Sequence, residues 1–124
     1  MSLFNQFYEI RSFDTTDSQK VVATVHIDQY HPIFKGHFPH QPVTPGVCMM
    51  QIIKELGEKW CSKPLMLKSA KNVKFMAVIN PVEEPNILVE LLFEEDGDGL
   101  LTIKSTTSFA DTVALKFSGI FEKK

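Results

Sequence analysis

The run Gly36-His37-Phe38-Pro39-His40-Gln41-Pro42-Val43-Thr44-Pro45-Gly46-Val47 sets a histidine in a proline-rich loop, then delivers the backbone to the start of a helix. A helix start carries amides with no intrahelical partner and a partial positive charge, which suit a carbonyl oxygen that gains negative charge. Gly46 and Val47 are the natural donors, and glycine lets a ligand approach the backbone closely. His37 has the chemistry to take a proton from the carbon next to such a carbonyl. Gln51 completes the set. It is the one polar residue in the apolar run Val47-Cys48-Met49-Met50-Gln51-Ile52-Ile53. A buried amide left unpaired costs about 1–3 kcal/mol, so Gln51 needs a partner or borders a cavity.

Plainer roles compete with these. A histidine in a proline-rich loop also serves as a hydrogen-bonding residue of the fold, and a buried glutamine as a bond to a neighbouring strand; spacing leaves both open. A metal site from His31, His37 and His40 is disfavoured, because Pro39 blocks a helical spacing and no carboxylate is close in sequence. Cys48 in an apolar helix packs as a small hydrophobe. Met49 and Met50 read as core or tunnel wall. Lys35, Lys68, Lys71 and Lys74 read as solvated surface, with a patch for an acidic partner as the alternative.

The elements that must position these residues follow from pattern. Phe7 to Phe13 and Lys20 to Ile27 read as strands, the second with alternating β-branched residues, and Asp14 to Ser18 reads as the turn between them. From Tyr30 to Gly46, prolines at 32, 39, 42 and 45 exclude a regular helix or central strand. Ile33, Phe34, Phe38 and Val43 make this an ordered loop that packs on something. Val47 to Trp60 is the one long helix, apolar nearly all round in its first half and therefore expected to be covered on all sides. Four strands follow, Leu65 to Val78, Ile87 to Phe93, Leu100 to Phe109 and Val113 to Phe121, separated by Asn80-Pro81, Asp96-Gly97-Asp98-Gly99 and Ala110-Asp111-Thr112. One helix buried by a run of antiparallel strands is an α+β arrangement, and the helix fits only if the sheet curls around it.

At 124 residues the chain suits one compact domain. A hydrophobic share of 44% and a charged share of 23% are those of an ordinary globular protein, and ten phenylalanines suggest a core or cavity lined with rings. A formal charge of −2 argues against a general nucleic-acid binder. Cys48 and Cys61 match no zinc pattern and make a poor disulfide framework. The absence of a membrane-length apolar stretch and of a signal-peptide pattern predicts a cytoplasmic protein.

Taken together, Gly36-His37-Phe38-Pro39, then Pro42, then Pro45-Gly46-Val47 opening a helix, resembles the active-site segment of the β-hydroxyacyl–acyl-carrier-protein dehydratases. Lys74-Phe75 with Asn80-Pro81 resembles that family's strand after the central helix. The resemblance implies a hot-dog fold, a curved antiparallel sheet wrapped around one long helix, over a single domain of residues 1–124. It implies no cofactor and no metal, and an acyl-carrier-protein or CoA thioester as the partner. It also implies a homo-oligomer built from dimers, or a heterodimer with a second hot-dog chain. His37 matches the family's catalytic histidine, and the Gly46 amide matches the donor that polarises the thioester carbonyl. Phe38, Val47 and Met50 are expected to contact substrate. The family's catalytic carboxylate, on the helix of the other subunit, falls here on Gln51. Glutamine holds a hydroxyl by hydrogen bonds but supplies no proton. Three readings follow: a dehydratase with a modified acid, a non-catalytic partner subunit that keeps the acyl pocket, and a hot-dog thioesterase.

Overall fold

A computed structural model describes residues 7–34 and 43–124. The elements run β1 (Tyr8–Asp17), β2 (Lys20–Ile27), a 3-10 turn (Pro32–Phe34), α1 (Gly46–Cys61), β3 (Leu65–Phe75), β4 (Asn86–Glu95), β5 (Leu100–Phe109) and β6 (Thr112–Lys123). The six strands form one antiparallel sheet in the order β1-β2-β4-β5-β6-β3. After the β1–β2 hairpin the chain crosses through α1 to the far edge, so β3 lies beside β6, and the helix spans the sheet's inner face. This is a curved antiparallel sheet around a single helix, the hot-dog arrangement.

Alternation decides which face the helix meets. Val21, Ala23, Val25 and Ile27 of β2 are all fully buried, as are Ile87 and Val89 of β4 and Leu101 and Ile103 of β5. They pack against Ile52, Ile53 and Leu56 of α1. At an order of 1.5–3 kcal/mol for each buried aliphatic side chain, this layer is the main stabilising feature. The close approach needs Gly57: a Cβ there would sit 2.8 Å from Ile103 Cδ1 and 3.1 Å from Leu65 Cδ1. Glu58 then ties the helix end to the next strand. Its carbonyl takes the Ser62 N–H at 2.8 Å, and its carboxylate takes the Leu65 N–H at 2.7 Å.

Two expectations are corrected. Asp14 to Ser18 is not one turn: Asp14 pairs with Val22 and β1 runs on to Asp17, whose carboxylate accepts the Gln19 N–H at 3.0 Å and closes a tighter hairpin. The first half of α1 is not covered on all sides. Cys48, Met49, Ile52 and Ile53 are buried, but Val47 is 73% exposed, and Met50 and Gln51 are half-buried. The sheet is also uncovered at its far edge. Val73 and Phe75 pair with Phe117 and Leu115, whose side chains are buried on the inner face. Directly opposed residues share a face, yet Val73 is 37% and Phe75 54% exposed.

Candidate functional site

The start of α1 has no side-chain cap. Pro45 occupies the N-cap in an extended conformation, and its carbonyl takes the amides of Cys48 at 3.0 Å and Met49 at 3.2 Å. The helix therefore offers no carbonyl to the amides of Gly46 and Val47. The segment is pinned by the Thr44 N–H, which donates to Ile79 O at 2.9 Å. Beneath it lies a cavity of about 270 Å³, lined among others by Thr44, Gly46, Met49, Phe75, Ile79 and Leu115. Its wall is apolar apart from Thr44, whose buried hydroxyl has no hydrogen-bond partner. The Phe75 ring lies against Gly46: a Cβ there would meet its Cζ at 2.6 Å. Only glycine leaves the ring in place, so backbone, ring and cavity form one unit.

Gln51 lies on a different face of the helix. It follows Val47 by one turn and precedes Glu55 by one turn, so the three share one stripe of the helix. Its Nε2 donates to Glu55 Oε2 at 2.8 Å, and Glu55 Oε1 accepts the Tyr8 hydroxyl at 3.0 Å. Burial, and then the charge of Glu55, push the Tyr8 phenol far above its ordinary range, so it keeps its proton and donates. The polar residue in the apolar run thus has a partner, and a carboxylate is held beside it. Glu55 was visible in the sequence as the next residue on Gln51's face; Tyr8 was not, because the sheet brings it in from 47 positions away.

The described residues place the expected site groups in two sets. Gly46 reaches the cavity; Val47, Met50 and Gln51 do not line it. His37 and Phe38, with His40, lie outside the described residues. His31 has a structural role, since its Nδ1 accepts the Ile33 N–H at 3.1 Å and its ring stands edge-on to Phe7. Burial pushes the Cys48 thiol up, away from the thiolate a nucleophile needs. Among the described residues no three of His, Cys, Asp and Glu gather to hold a metal. No helix among them is long and apolar enough to cross a membrane.

The family model for ApeI-like proteins, described as ApeI dehydratase, matches residues 13–112. The chain belongs to this ApeI-like dehydratase family. Among curated relatives, the 3-hydroxyacyl-acyl-carrier-protein dehydratase FabZ of Levilactobacillus brevis is 26% identical, over 92% of this chain and 83% of its own. FabZ of Caulobacter sp. K31 is 28% identical, over 84% and 68%. The dehydratase heterocomplex ApeI:P of Xenorhabdus doucetiae shares the fold at TM-score 0.75 and 20% identity, covering 92% of this chain and 96% of that one. A hypothetical thioesterase of Streptococcus pneumoniae TIGR4, solved with coenzyme A, superposes at TM-score 0.68 with 7% identity, over 94% and 85%. The family is therefore the FabZ-like hot-dog dehydratases, as the loop motif implied.

Proposed function

We propose that this protein dehydrates 3-hydroxyacyl thioesters in fatty-acid or related acyl-chain synthesis, carried on an acyl carrier protein or CoA. The observation that carries the reading is the uncapped start of α1 above an apolar cavity, in a chain of the ApeI-like dehydratase family. In this reading the Gly46 amide takes the thioester carbonyl oxygen and stabilises the charge that builds there. His37 removes a proton from the carbon next to the carbonyl. The C–O bond to the hydroxyl then breaks, and the histidine returns its proton to the leaving oxygen, giving an enoyl thioester and water. Gln51 holds the hydroxyl, and Phe38, Val47 and Met50 contact the acyl chain.

Because Gly46 and Gln51 lie on different faces of α1, one chain does not bring them to a single pocket. A second hot-dog chain, identical or not, resolves this in the present reading by packing on the exposed Val47 and the β3 edge. It would bring its own histidine to this Gln51. Incubating the purified chain with a hydroxyacyl thioester, with products read by mass, tests the proposal. Loss of one water is expected, abolished in a folded His37→Ala variant; unchanged turnover in that variant would remove His37 from the mechanism.

A second reading is a non-catalytic subunit of a mixed dehydratase. It is favoured by the amide at position 51 and by the heterocomplex architecture of the ApeI:P relative. Turnover by the chain alone argues against it. Release of free thiol would instead favour a thioesterase, the third reading, which has a hot-dog neighbour solved with coenzyme A.

A further inference from the structure

We propose that the outer face of the sheet, away from α1, is a docking site for an acidic amphipathic helix of a partner protein. The alternation that sends Val21, Leu91, Ile103 and Phe117 inward sends Lys20, Leu92, Lys104 and Ser118 outward. Pairing sets these four side by side across β2, β4, β5 and β6. In the next row Glu90, Thr106, Lys116 and Lys74 stand side by side, the last on β3. Short Thr106 and Ser118 between long neighbours leave a groove of about 410 Å³, lined also by Lys20, Lys104 and Lys116. Lys74 and Lys116 are directly opposed, a like-charge pair that costs the fold stability. Neither has an ion pair among the described residues, which include every Asp and Glu of the chain. Lys20 has none either, and Lys104 reaches only Glu94, at 3.6 Å. Around the groove four lysines therefore stand against Glu90 and Glu94, in a chain whose formal charge is −2. A local rule broken at exposed positions, with no gain inside the chain, points to a gain made in a complex.

The backbone decides what fits there. β2, β4, β5 and β6 are each paired on both sides, so no strand can add to them and side chains alone read the partner. A helix satisfies its own backbone and presents such a stripe of side chains. From Lys20 on β2 to Lys74 on β3 is four strand spacings, about 19 Å, the length of about thirteen helical residues. The lysines call for carboxylates along one face of that helix. Leu92, 44% exposed between Lys20 and Lys104, calls for an apolar side chain among them. A free phosphate spans a fraction of this length and leaves Leu92 bare. The groove lies across the sheet from the Gly46 cavity, so the proposal is independent of the reaction assigned above.

The test is a labelled helical peptide of about thirteen residues, with glutamates spaced on one face around a leucine, titrated into the full chain. Fluorescence anisotropy should show saturable binding that weakens with salt. Lys116→Glu and, separately, Lys74→Glu should each weaken it about threefold to tenfold. Each variant turns the like pair into an opposite pair and should melt later than the wild type, so lost binding is not lost folding. On adding the peptide, ¹⁵N amide shifts should gather at Leu92, Lys104, Thr106 and Ser118. Shifts gathered at Gly46 and Val47 would place the peptide at the helix start and overturn the proposal. Equal binding of a peptide of the same composition in scrambled order would also overturn it. So would tighter binding of a short DNA duplex, or peptide binding that neither variant reduces.

Discussion

Gln51 is where a single residue has the largest consequence. Replacing it by glutamate puts a carboxyl group where the amide donates to Glu55 at 2.8 Å. Two carboxyls at that distance share one proton, so the folded state holds a proton that the unfolded chain has released above about pH 4.3. The sign follows: a folded pKa raised above the unfolded value makes Gln51→Glu lose stability as pH rises from about 4.3 towards the raised value. Dehydration should rise by up to about 10²–10⁴ while the acid form persists, and decline with pH as it is lost. The paired change Gln51→Glu with Glu55→Gln keeps one carboxyl and one amide, and should melt later than the single variant. Thermal melts across pH, with turnover beside them, check both expectations. Tyr8 gives a second residue-scale prediction. Its phenol is raised on folding, so its contribution is fully present below about pH 10 and lost as pH climbs beyond it. Tyr8→Phe should cost about 1.5–3 kcal/mol at pH 8 in urea unfolding, and should lack the alkaline loss seen in the wild type.

At the scale of elements, the helix–sheet contact is set by Gly57 more than by any propensity. Alanine there gains roughly 1 kcal/mol of helix preference. Its Cβ, however, would press on the Cδ1 methyls of Ile103 and Leu65, both buried in the core. Overpacking of this kind costs about 1–3 kcal/mol, so Gly57→Ala should lower the urea midpoint on balance. The elements themselves were legible from periodicity. The helix expected over Val47 to Trp60 spans Gly46–Cys61, and β2 and β5 have the expected limits. The β1–β2 turn was misplaced because Asp14 carries turn chemistry that its cross-strand pairing with Val22 overrides.

Among the described residues the sheet ends in two edge strands of different character, β1 and β3. β1 carries Glu9, Arg11, Asp14 and Asp17 and two register shifts, which discourage further pairing. β3 also carries lysines and register shifts, but it leaves Met66, Leu67, Val73 and Phe75 at least 37% exposed, with Val47 of the helix at 73%. Exposed apolar surface of this kind is what a partner chain would cover. If a second hot-dog chain sits there, Phe75→Glu should shift the sedimentation coefficient from dimer to monomer and abolish turnover. A dimer that persists would place the interface elsewhere.

The sequence by itself determined the hot-dog family and the order of elements. Hydrophobic alternation and the Gly-His-Phe-Pro to Pro-Gly-Val string are local signals, written into consecutive residues. It also singled out Gln51 as the one polar residue in the helix's apolar run. Only the tertiary structure decided what Gln51 bonds to, because Tyr8 reaches Glu55 from another strand, and no local rule registers a contact across 47 positions. It also decided that Val47 stays exposed at the helix start and that Phe75 stays half-exposed against Gly46. Apolar periodicity records which residues need cover, but the packing of one helix across a six-stranded sheet sets which of them receive it.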